Sequence, residues 1–116
     1  MRRALLAVIG MTALITTMPS PSLSAEGRCL IAVDGGTQLN GRCNIEIRAD
    51  GSFTVGVGDK SRSKYFAYVD LDGGTDLAHG YWNGIEAESH AHEDLGMLKK
   101  NGACWQNARA RICAWR

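Results

Sequence analysis

Short runs of alternating apolar and polar residues, separated by glycine turns about every ten residues, most strongly constrain the fold of this chain. The clearest run spans residues 43–48, where Cys43, Ile45 and Ile47 alternate with polar side chains. In an extended strand these three residues share one face, so the pattern predicts a half-buried β-strand. Residues 53–57 repeat it with Phe53, Val55 and Val57.

These two strands predict a tight antiparallel hairpin. Residues that face each other across a hairpin share a side of the sheet, so Ile47 is expected opposite Phe53 and Ile45 opposite Val55. That register needs a loop with an odd number of residues. Residues 49–51 supply it, with Gly51 in the left-handed conformation that a three-residue loop requires.

The remaining strands follow from the same signals. A turn is predicted at residues 34–36, a turn or bulge at Asn40-Gly41, and a type I′ hairpin turn at Asn101-Gly102. Residues 64–71 carry apolar side chains on both faces, which indicates a central strand, and residues 85–95 are expected to form a loop or a single turn. The sequence predicts an all-β meander or barrel of about seven strands, stapled by disulfides.

The first 25 residues have the pattern of a secretory signal peptide. Two arginines precede an apolar run that is too short to span a bilayer, and small residues follow it. Cleavage is expected near Ser24/Ala25, which leaves residues 26–116 as a single exported domain, periplasmic or secreted, with no transmembrane segment. Without Arg2 and Arg3, 11 basic residues face 12 acidic ones, so no nucleic-acid partner is predicted.

Four cysteines remain after the predicted cleavage, and an even number in a short exported chain predicts two disulfides. Three pairings exist for four cysteines. Cys29–Cys43 and Cys104–Cys113 are favoured because each pair brackets a predicted hairpin. A zinc site would need closer cysteine spacing and a reducing compartment, so no cofactor is predicted.

Three histidines define the alternative function of a periplasmic metal-binding protein. His90 and His92 would project to the same side of an extended segment and could chelate one ion, with His79 as a third ligand. A polar loop whose histidines face solvent explains the same residues. No nucleophile elbow or pair of carboxylates stands out, so an enzyme is not predicted, although a small hydrolase with an unrecognised site stays open.

Two short segments resemble the periplasmic and membrane-bound inhibitors of c-type lysozyme. Residues 82–87, beginning with Trp82, are similar to a stretch of that family in which a tryptophan precedes Lys-Gly, an acid and an alanine; Asn83 stands where the family has lysine. Ser61 precedes Tyr65 at the spacing of the family's inhibitory loop, with Arg62 at a glycine position. The chain also resembles uncharacterised small exported proteins of Gram-negative bacteria in residues 102–105 and 112–115.

The resemblance implies a binding protein that inserts a loop into a lysozyme cleft. Ser61, Ser63 and Lys64 would hydrogen-bond the acidic catalytic groups, and aromatic residues such as Trp82 would exclude water around them. The predicted function is therefore an exported, disulfide-bonded binding protein without catalysis, whose partner is a protein and in the sharpest form a lysozyme.

Overall fold

A closed antiparallel β-barrel is the architecture of the chain in the computed structural model, which describes residues 22–59 and 62–116. The eight strands are β1 (Ser22–Val33), β2 (Gly36–Arg48), β3 (Phe53–Val55), β4 (Ala67–Leu71), β5 (Leu77–Trp82), β6 (Glu93–Asn101), β7 (Cys104–Gln106) and β8 (Ala110–Trp115). Each strand pairs with the next along the chain, and β8 pairs with β1 to close the barrel. The predicted all-β class is confirmed.

The β2–β3 hairpin has the predicted register. Ile47 lies opposite Phe53 and Ile45 opposite Val55. The Arg48 amide donates to the Ser52 carbonyl, which leaves a three-residue loop in which Gly51 has φ +93°. Strict alternation and one well-placed glycine therefore specify this hairpin.

Two predicted turns differ from the structure. Asn40 and Gly41 make no turn, because β2 runs straight through them and pairs them with β1; the register shifts instead beside Ile31. At the β6–β7 hairpin Asn101 pairs with Cys104, so the two-residue loop is 102–103, and only its first residue, Gly102, has positive φ (65°). This is the pattern of a type II′ turn rather than type I′.

A type I′ pattern occurs at the β1–β2 turn. Asp34 and Gly35 both have positive φ, 54° and 82°, between the paired residues Val33 and Gly36. The predicted long strand at 64–71 is also shorter in the structure, since β4 begins at Ala67. The connection expected over 85–95 ends earlier, where β6 begins at Glu93.

Inward-facing apolar side chains from all eight strands fill the barrel. The fully enclosed members include Ile31, Ile45, Val55, Val69 and Ile112. Because strands alternate their faces, the polar partners of these residues point outward, as the sequence pattern requires. The barrel is thus a packed core rather than a lumen.

Both predicted disulfides are confirmed. Cys29–Cys43 joins β1 to β2 with Cα atoms 5.8 Å apart, and both cysteines belong to the core cluster. Cys104–Cys113 joins directly opposite residues of β7 and β8, 4.0 Å apart at Cα. One bridge therefore packs inside the barrel, whereas the other staples its wall beside a hairpin turn.

The predicted signal peptide falls mainly on residues 1–21, which lie outside the described residues. Residues 22–25 belong to the first part of β1 and pair with residues 45–48 of β2. Cleavage near Ser24/Ala25 would leave β1 from Ala25 or Glu26 onward, with its pairing to β8, residues 28–33, intact.

The barrel has two unlike ends. At one, here called the turn end, short connections 49–52, 72–76 and 102–103 reverse the chain. At the other, here called the loop end, the long connections 56–66 and 83–92 lie with the shorter 34–35 and 107–109. Of the predicted binding residues, the three that the structure describes, Ser63, Lys64 and Trp82, lie at or beside the loop end.

Candidate functional site

Asn83 holds the two long connections of the loop end together. Its side chain is fully buried. The Oδ1 atom accepts a hydrogen bond from the Phe66 amide at 3.0 Å, and Nδ2 donates to the carbonyls of Lys64 at 2.9 Å and Glu88 at 3.1 Å. The Asn83 side chain thereby provides hydrogen-bond partners for three backbone groups that take part in no strand pairing. Backbone groups in a buried segment need such partners.

Two aromatic rings, those of Tyr65 and Trp82, pack beside the same junction. Tyr65 stacks on Trp82 with ring centres 5.6 Å apart, and its hydroxyl donates to the Ile85 carbonyl at 2.9 Å. Trp82 is only 2% exposed, and its indole Nε1 donates to Glu93 Oε2 at 2.9 Å. The Trp82 ring is therefore too buried to face a partner, the role that was predicted for it, and instead holds Tyr65 in position.

A cavity of about 340 Å³ separates the two connections. The residues around it come from both sides and include Asp59, Ser63, Lys64, Phe66, Ala87 and Glu88. Ala87 has φ +55°, a conformation that costs a non-glycine residue free energy and that is held here by the surrounding turn. The cleft thus combines a cation, hydroxyl and carboxylate groups, and an aromatic wall.

The predicted loop residues have different roles in this cleft. The Ser63 hydroxyl accepts from the Tyr65 amide at 3.0 Å and lies 3.2 Å from the Tyr65 carbonyl, so it shapes the loop. Lys64 is exposed, and its Nζ lies 5.4 Å from the centre of the Tyr65 ring. No carboxylate of the described residues pairs with it. Ser61 lies outside the described residues.

The structure does not assemble the three histidines into one group. His79 on β5 has its Nε2 2.6 Å from Asp94 Oδ1 and stacks on Tyr81 at 4.7 Å, whereas His92 Nδ1 lies 3.1 Å from the His90 carbonyl. Within residues 22–59 and 62–116, no three His, Cys, Asp or Glu side chains are arranged to hold a metal ion.

Hydrogen bonds lower the pKa of the Asp94 carboxyl. The largest cause is the Gly96 amide, which donates to Oδ1 at 2.7 Å, followed by the His79 imidazole. The carboxylate is therefore stabilised in its ionised form, although it remains exposed to solvent.

Arg109 links the smaller connections of the loop end to β6. Its guanidinium donates to Asp34 at 2.9 and 3.3 Å, to Glu93 at 2.6 Å, and to the Asp94 carbonyl at 3.1 Å. Asp34 and then Glu93 raise the pKa of Arg109 above its ordinary value. Arg109 therefore joins the 34–35 turn to the 107–109 connection and to β6.

Sequence reasoning missed Asn83 and Tyr65 as the centre of the site. In the sequence, Asn83 was noted only because it stands where the lysozyme-inhibitor family has a lysine. An amide placed directly after a buried tryptophan, at the end of an alternating strand, is the signal that could have indicated a buried anchor.

No protein-family model, curated protein or solved structure matches this chain. Among the described residues, no helix has the length and apolar character needed to cross a membrane.

Proposed function

We propose that this chain is an exported binding protein without catalysis of its own, and that its loop end inhibits a c-type lysozyme. The observation that carries the proposal is the junction at Asn83. The two segments that resemble lysozyme inhibitors are about twenty residues apart in sequence, and Asn83 hydrogen-bonds from one to the other.

One group of the cleft, the Lys64 ammonium, fits an acidic target. Lys64 presents an ammonium group that no described carboxylate neutralises, above a tyrosine ring that can exclude water. A charge-assisted hydrogen bond to a desolvated carboxylate contributes about 1.5–3 kcal/mol. In this proposal Lys64 makes that bond, while Ser63 and Asn83 fix the conformation of the loop that carries Lys64.

Export is part of the proposal. Two disulfides in a small domain are typical of oxidising compartments, where they persist. The signal-peptide pattern of residues 1–25 is the sequence basis for it. The expected N-terminus of the purified protein is Ala25 or Glu26, which intact mass spectrometry measures; a retained Met1 contradicts export by this route.

The inhibition test measures the lysis of bacterial cell walls by a c-type lysozyme in the presence of the protein. The wild type should slow lysis at micromolar concentration. Replacing Ser61, Ser63 and Lys64 together by alanine should weaken inhibition at least tenfold, and Lys64→Ala alone should account for most of that loss because Ser63 is engaged within the loop.

Lys99→Ala provides the matched control, since it removes one exposed lysine from β6 near the turn end. It should inhibit as the wild type does, and the melting temperatures of both single variants should be unchanged. Full lytic activity with micromolar wild-type protein overturns the proposal. Equal weakening by Lys64→Ala and Lys99→Ala overturns the role given to the loop.

A further inference from the structure

The outer wall of β8, β1 and β2 carries an unusual group of neighbours, none of which lines the loop-end cleft. Arg28 of β1 lies directly opposite Arg42 of β2 on one side and opposite Trp115 of β8 on the other. All three are exposed, and the Arg28 guanidinium lies 5.9 Å from the centre of the Trp115 ring. With Arg116 beside them, these residues are here called the arginine wall.

Like charges placed directly opposite each other in adjacent strands destabilise a sheet. Arg42 is compensated by Glu26, whose Oε2 lies 3.0 Å from Nη2, and the same carboxylate also pairs with Arg62. Among the described side chains, Arg28 hydrogen-bonds only the amide oxygen of Asn40, at 3.2 Å. Glu26 is the one described carboxylate side chain that pairs with this group, so the wall keeps a positive excess.

The tryptophan of the arginine wall differs from the other two in its exposure to solvent. Trp82 and Trp105 are 2% and 7% exposed, whereas Trp115 is 41% exposed. Glu26, Arg28, Arg42, Trp115 and Arg116 line a shallow groove of about 410 Å³. An exposed indole among arginines is suited to the boundary between water and lipid, where the ring enters the headgroup layer and guanidinium groups bind phosphate.

We propose that the arginine wall docks this protein on an anionic phospholipid surface. Arg28 and Arg42 would each donate a pair of hydrogen bonds to lipid phosphate oxygens, and Trp115 would bury its exposed edge among the headgroups. The groove of the wall and the loop-end cleft share no lining residue, so the two proposed sites are formed by different side chains.

Vesicle binding tests this proposal with purified protein. Vesicles of phosphatidylcholine alone are compared with vesicles that also contain phosphatidylglycerol, by co-sedimentation at low and at physiological salt. The wild type should bind the anionic vesicles only, and less at higher salt. The double variant Arg28→Gln, Arg42→Gln should bind at least tenfold more weakly, and Trp115→Ala several-fold more weakly.

The control is the double variant Lys99→Gln, Lys100→Gln, which removes the same charge beside Trp105, a buried tryptophan. It should bind vesicles as the wild type does, and circular dichroism should show all variants folded. Equal losses in both double variants, equal binding to both vesicle types, or no vesicle binding overturn the proposal. Preference for a single-stranded oligonucleotide over anionic vesicles also overturns it, in favour of a nucleic-acid ligand.

Discussion

The two ends of the barrel are built on different principles. At the turn end, each reversal is closed by residues within a few positions of one another, as in the loop 49–51 with Gly51 and the loop 102–103 with Gly102. At the loop end, side chains additionally join connections that are distant in sequence: Asn83 reaches Lys64, and Arg109 reaches Asp34.

This difference indicates where the molecule can vary. A turn fixed by its own backbone has little freedom, because changing it disturbs the strands it joins. A long connection pinned at one or two anchoring side chains can change its other residues while the barrel stays intact. The proposed binding residue Lys64 therefore lies in a connection whose other residues can change without changing the barrel.

The sharpest test of the comparison is Asn83→Ala, which should have the largest effect. Truncation leaves the Phe66 amide and the Lys64 and Glu88 carbonyls without partners inside the protein. The free energy of unfolding should fall by about 3 kcal/mol, measured by urea denaturation.

Asn107→Ala is the matched control at the same end. This asparagine donates to two carbonyls, those of Leu95 and Met97, and its Oδ1 accepts from the amides of residues 109 and 110, but it is exposed, so water can replace the lost bonds. Its cost should be about 1 kcal/mol. Equal costs for the two variants would contradict the view that burial makes Asn83 the anchor.

Removing the Cys104–Cys113 bridge tests the turn end. The double variant Cys104→Ala, Cys113→Ala frees a cross-link between residues nine positions apart and should lower the free energy of unfolding by about 2–3 kcal/mol. Thermal melting measures the loss. Inhibition by the loop end, once established for the wild type, should persist below the new melting temperature; its disappearance would mean that the two ends are coupled.

Gly102→Ala should cost about 1–2 kcal/mol. Space is not the obstacle, because nothing lies within 4 Å of an added Cβ; the cost arises from φ +65°, which residues with a side chain adopt reluctantly. Gly73→Ala, also in a turn-end connection and also in open space, has no positive φ and should be close to neutral. A urea titration that finds the two variants equal would contradict this account.

The smallest effect is expected for the pH dependence of stability that arises from Asp94. Since hydrogen bonds hold the pKa of Asp94 below its ordinary value near 3.8, ionised Asp94 stabilises the fold above that pH. The stabilisation is lost as the pH falls through the lowered pKa. Asp94→Asn should therefore be less stable than the wild type at pH 7, and the gap should narrow in acid. Urea midpoints of both proteins at pH 7 and pH 3 measure this difference in stability. A difference that widens in acid would contradict the lowered pKa of Asp94.

Local patterns predicted those parts of the fold that are determined locally. Strict alternation and Gly51 specified the β2–β3 register, and cysteines that bracket hairpins specified both bridges. Asn40-Gly41 was misread because pairing with β1 overrides a turn preference. The turn type at Gly102 was wrong because the pairing of Asn101 with Cys104 shifts the loop by one residue.

The candidate site was predictable only in part. Lys64 and Ser63 were singled out because the segment before Tyr65 resembles an inhibitory loop, and they do lie at the loop end. The role of Asn83 depends on partners up to 19 residues away, and the His79–Asp94 pair depends on β5 lying beside β6. Such contacts depend on which strands lie side by side in the barrel, so no short sequence motif predicts them.

Closure of the barrel has a kinetic consequence. Seven of the eight strand pairings join neighbours along the chain, whereas the seam between β1 and β8 joins residues 28–33 to residues 110–115. Long-range pairings pay the greatest loop-closure entropy, so the meander can assemble hairpin by hairpin while this seam forms last. Until β8 has been synthesised, β1 presents an unpaired edge, the state in which a newly made chain is most prone to pair with another copy of itself.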